Sequence, residues 1–148
     1  MNLRHQLLCT ATALVTTLTS MPATAQATDP APRPLDGPVI QRIRDKQAIT
    51  IAYDPNQAPF SLLGDDGQPT GYTIDLCRIV ASQLVTQLNM GLMDVRWVKT
   101  NSRSRFEAIE SGDADLECSA TSNTLDRQKQ FAFSLTTFIQ GATIAVRQ

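Results

Sequence analysis

Three short polar stretches carry most of the side chains that could grip a small charged molecule. The first is Asp54, Pro55, Asn56, Gln57, Ala58, Pro59 and Phe60; the second is Asn101, Ser102, Arg103, Ser104 and Arg105. The third runs from Ser119 through Ala120, Thr121, Ser122, Asn123 and Thr124 into Asp126 and Arg127. A run of small polar residues that opens a helix leaves backbone N–H groups and hydroxyls free to donate, which suits a carboxylate. Arg127 falls in the first turn of the helix expected there, where a cation opposes the helix dipole and needs an anion to offset it. A ligand carboxylate gripped by the guanidinium fork would serve. So would a surface pair with Asp126 or Glu117. Asp54, followed by Pro55, reads as a turn former, and Asp113, Asp115 and Glu117 as hydrophilic strand-edge and turn positions.

Other chemistry is excluded by what the chain lacks. It contains no GxSxG, HExxH or P-loop pattern. Its single histidine is His5 and its three cysteines form no CxxC or Cys/His cluster. A zinc site or a histidine-based triad is therefore not expected in the folded part, and neither metal nor cofactor is invoked. Fourteen acids against thirteen bases, a net charge of −1, leave no electrostatic footprint for nucleic acid or an anionic membrane.

The elements that must position the three loops alternate between strand and helix. A short amphipathic helix over 39–46 precedes a β-branched strand over 48–53 that stops at Asp54-Pro55. Residues 60–63, the Gly64–Gly67 turn and residues 69–71 suggest a short hairpin. From 73 to 88, Leu76, Val80, Leu84 and Leu88 recur every fourth position, with Cys77 and Ala81 beside them, predicting a core-facing helix. A strand over 94–99 leads to a helix over 104–111 that faces the core with Phe106 and Ile109 and stops at Gly112. A strand over 114–118, a helix over 124–130 and a last strand over 139–146 complete the pattern. This rhythm predicts an α/β layered domain with a mainly parallel sheet flanked by helices. In such sheets ligands lie beyond the carboxyl ends of the strands, which is where all three polar loops fall.

The N-terminal residues read as an address. Residues 1–27 combine Arg4, an apolar run from Leu7 to Leu18 and small residues at Ala23, Ala25 and Ala27, the layout of a cleavable secretory signal. The apolar run is shorter than the roughly 20 residues a membrane span needs. Residues 28–38 hold four prolines and form a flexible leader, so the folded domain is expected over 39–148. Loss of the signal removes Cys9 and leaves Cys77 and Cys118. Their spacing is compatible with a disulfide in an oxidising compartment or with two buried thiols.

The strings APFS (58–61), GYTIDL (71–76), DLECSATSNTLDRQKQFAFS (115–134) and FIQGATIAVR (138–147) resemble the periplasmic amino-acid-binding proteins of ABC importers, the family-3 solute-binding class. The 115–134 string is most similar to the glutamate/aspartate branch. The resemblance implies a periplasmic-binding-protein type II-like lobe, here the N-terminal one, with a second lobe absent and the chain a truncated form. It implies a monomeric periplasmic receptor that closes on a polar amino acid and delivers it to a membrane permease. It assigns the ligand α-carboxylate to Arg127, with Ser122 and the Ala120 backbone assisting, and the ligand side chain to Ser102 and Arg105. It also implies a Cys77–Cys118 disulfide. Asp54 departs from the glutamate branch, which has arginine there, and matches branches whose ligands carry side-chain N–H groups. Arg105 thus favours an acidic or amide side chain and Asp54 an amide or a cation. Two alternatives share the scaffold: a cyclohexadienyl dehydratase-like enzyme and the sensing domain of a larger receptor.

Overall fold

The computed structural model describes residues 35–141 and 144–147. The expected signal, 1–27, and most of the expected leader, 28–38, lie outside these residues.

Among the described residues a three-stranded parallel sheet, ordered β5-β1-β6, forms the body. Its central strand, β1 (Ala48–Tyr53), pairs along its whole length with β5 (Asp94–Lys99) and through Ile51 and Ala52 with β6 (Leu116–Glu117). A central parallel strand is covered on both faces, and β1 is buried almost throughout. Alternation along the strand divides the work. Ile49, Ile51 and Tyr53 pack into the main core with Ile43, Ile74, Cys77, Ala81, Leu88 and Cys118, whereas Ala52 packs with Ala108 and Ala114 in a second, smaller core. The bulky face meets α1 (Pro38–Lys46) and α2 (Tyr72–Gln87), and the small face admits α3 (Ser104–Ser111). Helix α1 starts at Pro38, the position inside a helix where a missing N–H costs least, one residue before the expected start.

Arg42 of α1 donates to Asp115 Oδ1 through Nε and Nη2 at 2.9 and 2.6 Å, and Thr50 N donates to Oδ2 at 2.9 Å. One carboxylate therefore ties a helix to two strands. The disulfide Cys77–Cys118 joins α2 to the end of β6, with Cα atoms 6.4 Å apart.

The expected hairpin is present as β3 (Ser61–Leu63) and β4 (Pro69–Thr70), and it gains a strand. β2 (Asn56–Gln57), read from sequence as loop, pairs antiparallel with β3. At the junction with α2, Gly71 has φ 118°, and a Cβ there would lie 2.7 Å from the Phe60 carbonyl oxygen. Only a glycine lets the chain approach so closely while Tyr72 N and Thr73 N donate to Pro59 O and Phe60 O.

Several expectations require correction. The buried face of α2 is Ile74, Cys77, Ala81 and, after the helix, Leu88, whereas Val80 is 45% exposed. A strict four-residue row drifts around a helix of about 3.6 residues per turn, and only alternating steps of three and four stay on one face. Helix α3 buries Arg105 and Ala108 instead of Phe106 and Ile109, which are only partly covered. Helix α4 is a single turn, Leu125–Gln128, because Phe131 leaves the helical path to pack on Phe106 at 4.9 Å between ring centroids. The last strand expected over 139–146 is not formed by its described residues. Ile139, Ile144 and Val146 are 81–88% exposed, and no described strand offers the ladder that β-branched residues need. Residues 142 and 143 of that run lie outside the described residues.

Candidate functional site

Because β1, β5 and β6 run parallel and end level, their following loops emerge side by side. Backbone and hydroxyl bonds lock them together. Thr100 donates to Tyr53 O through N at 2.8 Å and Oγ1 at 3.1 Å, joining the second loop to β1. Asp54 N donates to Ser119 Oγ at 3.0 Å, joining the first loop to the third.

The second loop enters α3 through a reciprocal cap. Asn101 Oδ1 accepts from the N–H groups of Arg103 and Ser104 at 2.9 and 3.1 Å, while Ser104 Oγ accepts from Asn101 N at 3.1 Å. This cap leaves Ser102 exposed and turns Arg105 inward, where the residue is only 6% exposed. Arg105 Nε and Nη1 are buried with no hydrogen-bond partner among the described residues. Its guanidinium carbon lies 5.4 Å from the centroid of the Phe106 ring.

Arg127 approaches the same ring from the third loop, its guanidinium carbon 5.0 Å from the Phe106 centroid. Thr124 caps α4 by accepting from Arg127 N at 3.4 Å, and Arg127 Nη1 donates to the Ser122 carbonyl at 2.8 Å. Neither surface partner expected for Arg127 is used. Asp126 pairs with Lys129 at 2.6 Å, and Glu117 accepts from Thr121 Oγ1 at 2.9 Å. With α4 reduced to one turn, Arg127 meets little opposition from a helix dipole. Arg127 calls for an anion because no carboxylate among the described residues lies within salt-bridge distance of it.

Around these groups lies an open groove of about 370 Å³. Ser102, Phe106 and Glu110 line one side, and Asp126, Arg127, Gln130 and Phe131 the other. Of the residues expected at the site, Ser102 and Arg127 line this groove together. Arg105 stacks on the groove's Phe106 without lining it. Ala120, Ser122 and Asp54 are not on its walls. A second groove of about 310 Å³, between α2 and β5, includes none of the loop residues.

Asp54 is 4% exposed, and both its carboxylate oxygens are used locally. Oδ1 accepts from Asn56 N at 3.0 Å, which is an Asx turn, and Oδ2 accepts from Gln57 Nε2 at 2.9 Å. Gln57 Oε1 in turn accepts from Ala120 N at 2.7 Å. Sequence reasoning left Phe106, Glu110, Gln130 and Phe131 out of the site, and gave Gln57, a member of the first polar loop, no role of its own. Gln57 lay in a stretch with no periodicity, and Phe106 had the spacing of a core position. The only available signal was that Gln57 sits three residues after a carboxylate it can reach.

The family model of bacterial extracellular solute-binding proteins, family 3, matches residues 49–148. The chain is 33% identical over 134 residues to the L-glutamate/L-aspartate-binding protein of Pseudomonas aeruginosa, covering 90% of this chain and 42% of that protein. It is 29% identical over 124 residues to the glutamate/aspartate import solute-binding protein of Escherichia coli, covering 84% of this chain and 40% of that one. The chain thus spans about two-fifths of the length of these relatives. Among solved structures, an ancestral cationic amino-acid solute-binding protein superposes with a TM-score of 0.57 at 28% identity, over 66% of this chain and 39% of that one.

Proposed function

Because the chain belongs to the bacterial extracellular solute-binding proteins of family 3, we propose that it binds a free amino acid with an acidic side chain. Its fold is a partial periplasmic-binding-protein type II-like α/β lobe, and residues 39–148 are read as N-terminal-lobe material. The observation that carries the proposal is the pair of arginines on one ring. Arg105 and Arg127 both stack on Phe106, and neither has a carboxylate within salt-bridge distance among the described residues. Two unpaired guanidiniums converging on an aromatic wall favour a ligand with two negative groups.

In this proposal Arg127 grips the α-carboxylate with the Ser122 hydroxyl alongside it; the Ala120 N–H is held by Gln57 Oε1, which leaves the Ala120 carbonyl as the backbone group for the ligand. Arg105 and Ser102 meet the side-chain carboxylate, and buried Arg105 gains most because its nitrogens are desolvated and unmatched. The names of the glutamate/aspartate-binding relatives support the same ligand class. The protein turns nothing over. Ligand energy instead stabilises a closed state of a periplasmic receptor, exported by its first 27 residues, that acts as a monomer and delivers the amino acid to the permease of an ABC importer.

Calorimetric titration of the chain with glutamate, aspartate, glutamine and arginine tests the proposal. Heat is expected with glutamate or aspartate and is weaker with glutamine. Binding of arginine alone, or of none of the four, would overturn it.

A further inference from the structure

Resting on the proposed amino-acid site, we propose that Glu110 pairs with the ligand's ammonium group and so makes the groove select an amino acid over a dicarboxylic acid. Two guanidiniums on one ring account for two carboxylates and nothing more. By those contacts alone, a simple dicarboxylate would bind as well as glutamate does. A free amino acid carries a third charged group, an ammonium with three N–H donors, which a partly dry site must meet with acceptors. The Ala120 carbonyl is uncharged and Ala120 is not on the groove walls, so the ammonium charge needs a carboxylate.

Two carboxylate side chains line the groove, Asp126 and Glu110. Asp126 is already paired with Lys129 at 2.6 Å. Glu110 enters no ion pair among the described residues. It follows Phe106 by four residues and so shares its face of α3. Side chains on a helix lean toward its N-terminus, which brings that of Glu110 back over the turn that holds Phe106. Phe106 is the ring on which Arg105 and Arg127 stack, their guanidinium carbons 5.4 and 5.0 Å from its centroid. Two cationic groups and one free anionic group thus gather around one ring, the charge pattern of glutamate reversed. Helix stability does not account for the acid. Glu110 stands in the last turn of α3, where a carboxylate opposes the negative end of the dipole, and no basic side chain in that turn offsets it. A bound ammonium would.

The test titrates the wild-type chain, Glu110→Gln and Glu110→Ala by calorimetry with glutamate and with glutarate, the same five-carbon dicarboxylate without the ammonium. Glu107→Gln, which changes an exposed acid of α3 that does not line the groove, controls for the change in net charge. Wild type is expected to favour glutamate. Both Glu110 variants are expected to lower the glutamate-to-glutarate affinity ratio at least about fivefold, by weakening glutamate. Glutarate should hold or tighten, because a carboxylate that repels it is gone. Glu107→Gln should keep the wild-type ratio. An unchanged ratio in the Glu110 variants, equal weakening of both ligands, or an equal shift in Glu107→Gln overturns this inference. So does a wild-type chain that binds glutarate at least as tightly as glutamate. In each of these cases glutamate binding by wild type leaves the acidic-amino-acid proposal standing. A wild-type chain that binds neither ligand overturns both.

Discussion

Arg105 and Arg127 share the Phe106 ring but differ in what surrounds them, and that difference separates their expected effects. Arg127 keeps one bond, to the Ser122 carbonyl, and borders the open groove. Arg105 is buried with two nitrogens unmatched. Lysine cannot reproduce the planar fork at either position. Arg127→Lys is expected to weaken every amino acid by about tenfold, because all share the α-carboxylate. Arg105→Met is expected to weaken glutamate and aspartate selectively and to leave glutamine within about threefold, again by calorimetry. The candidates Ser102, Arg105 and Arg127 were legible in the sequence because they fall in polar stretches after β-rich runs. The partners were not. The turn-forming role of Asp54 was legible from the following proline, but its bond to Gln57 depends on a rotamer that spacing does not specify.

At the scale of elements, strand β5 and helix α3 have the bounds their patterns predict, and Gly112 ends α3 in the left-handed conformation expected of a stop glycine. Helix faces were less legible. Val80 had the composition of a core residue, but the four-residue row it belongs to drifts off the face that Ile74, Cys77 and Ala81 turn to the core. Helix α4 stopped short because the aromatic contact between Phe131 and Phe106 competes with one more helical turn. The approach of the first loop to α2 is also decided at this scale, at Gly71. Gly71→Ala would push a methyl group to 2.7 Å from a carbonyl oxygen at a φ that disfavours any side chain. It is expected to cost about 2 kcal/mol, read from urea denaturation, with far-UV circular dichroism little changed.

In the molecule as a whole, the Cys77–Cys118 bond spans 41 residues and closes the segment that contains most of α2, with β5, α3 and β6. It lies in the main core, with Cys118 fully buried. The double variant Cys77→Ser/Cys118→Ser is expected to lose about 3–4 kcal/mol in the chain-entropy account of disulfides. Chemical denaturation midpoints, compared with those of the wild-type chain with and without reductant, check this. The sequence by itself determined the alternation of strands and helices, the glycine stops and the three loops where charged groups could gather, because hydrophobic period, turn chemistry and strand ends are local properties. It also carried two cysteines whose pairing it left open until the family resemblance was taken into account. Tertiary structure alone decided that Gln57 spans Asp54 and Ala120, that one phenylalanine faces two arginines, and that the run after residue 138 forms no strand among its described residues. Gln57 and Ala120, and Phe106 and Arg127, are far apart in the chain, and such contacts depend on burial and hydrogen-bond geometry that no local pattern encodes.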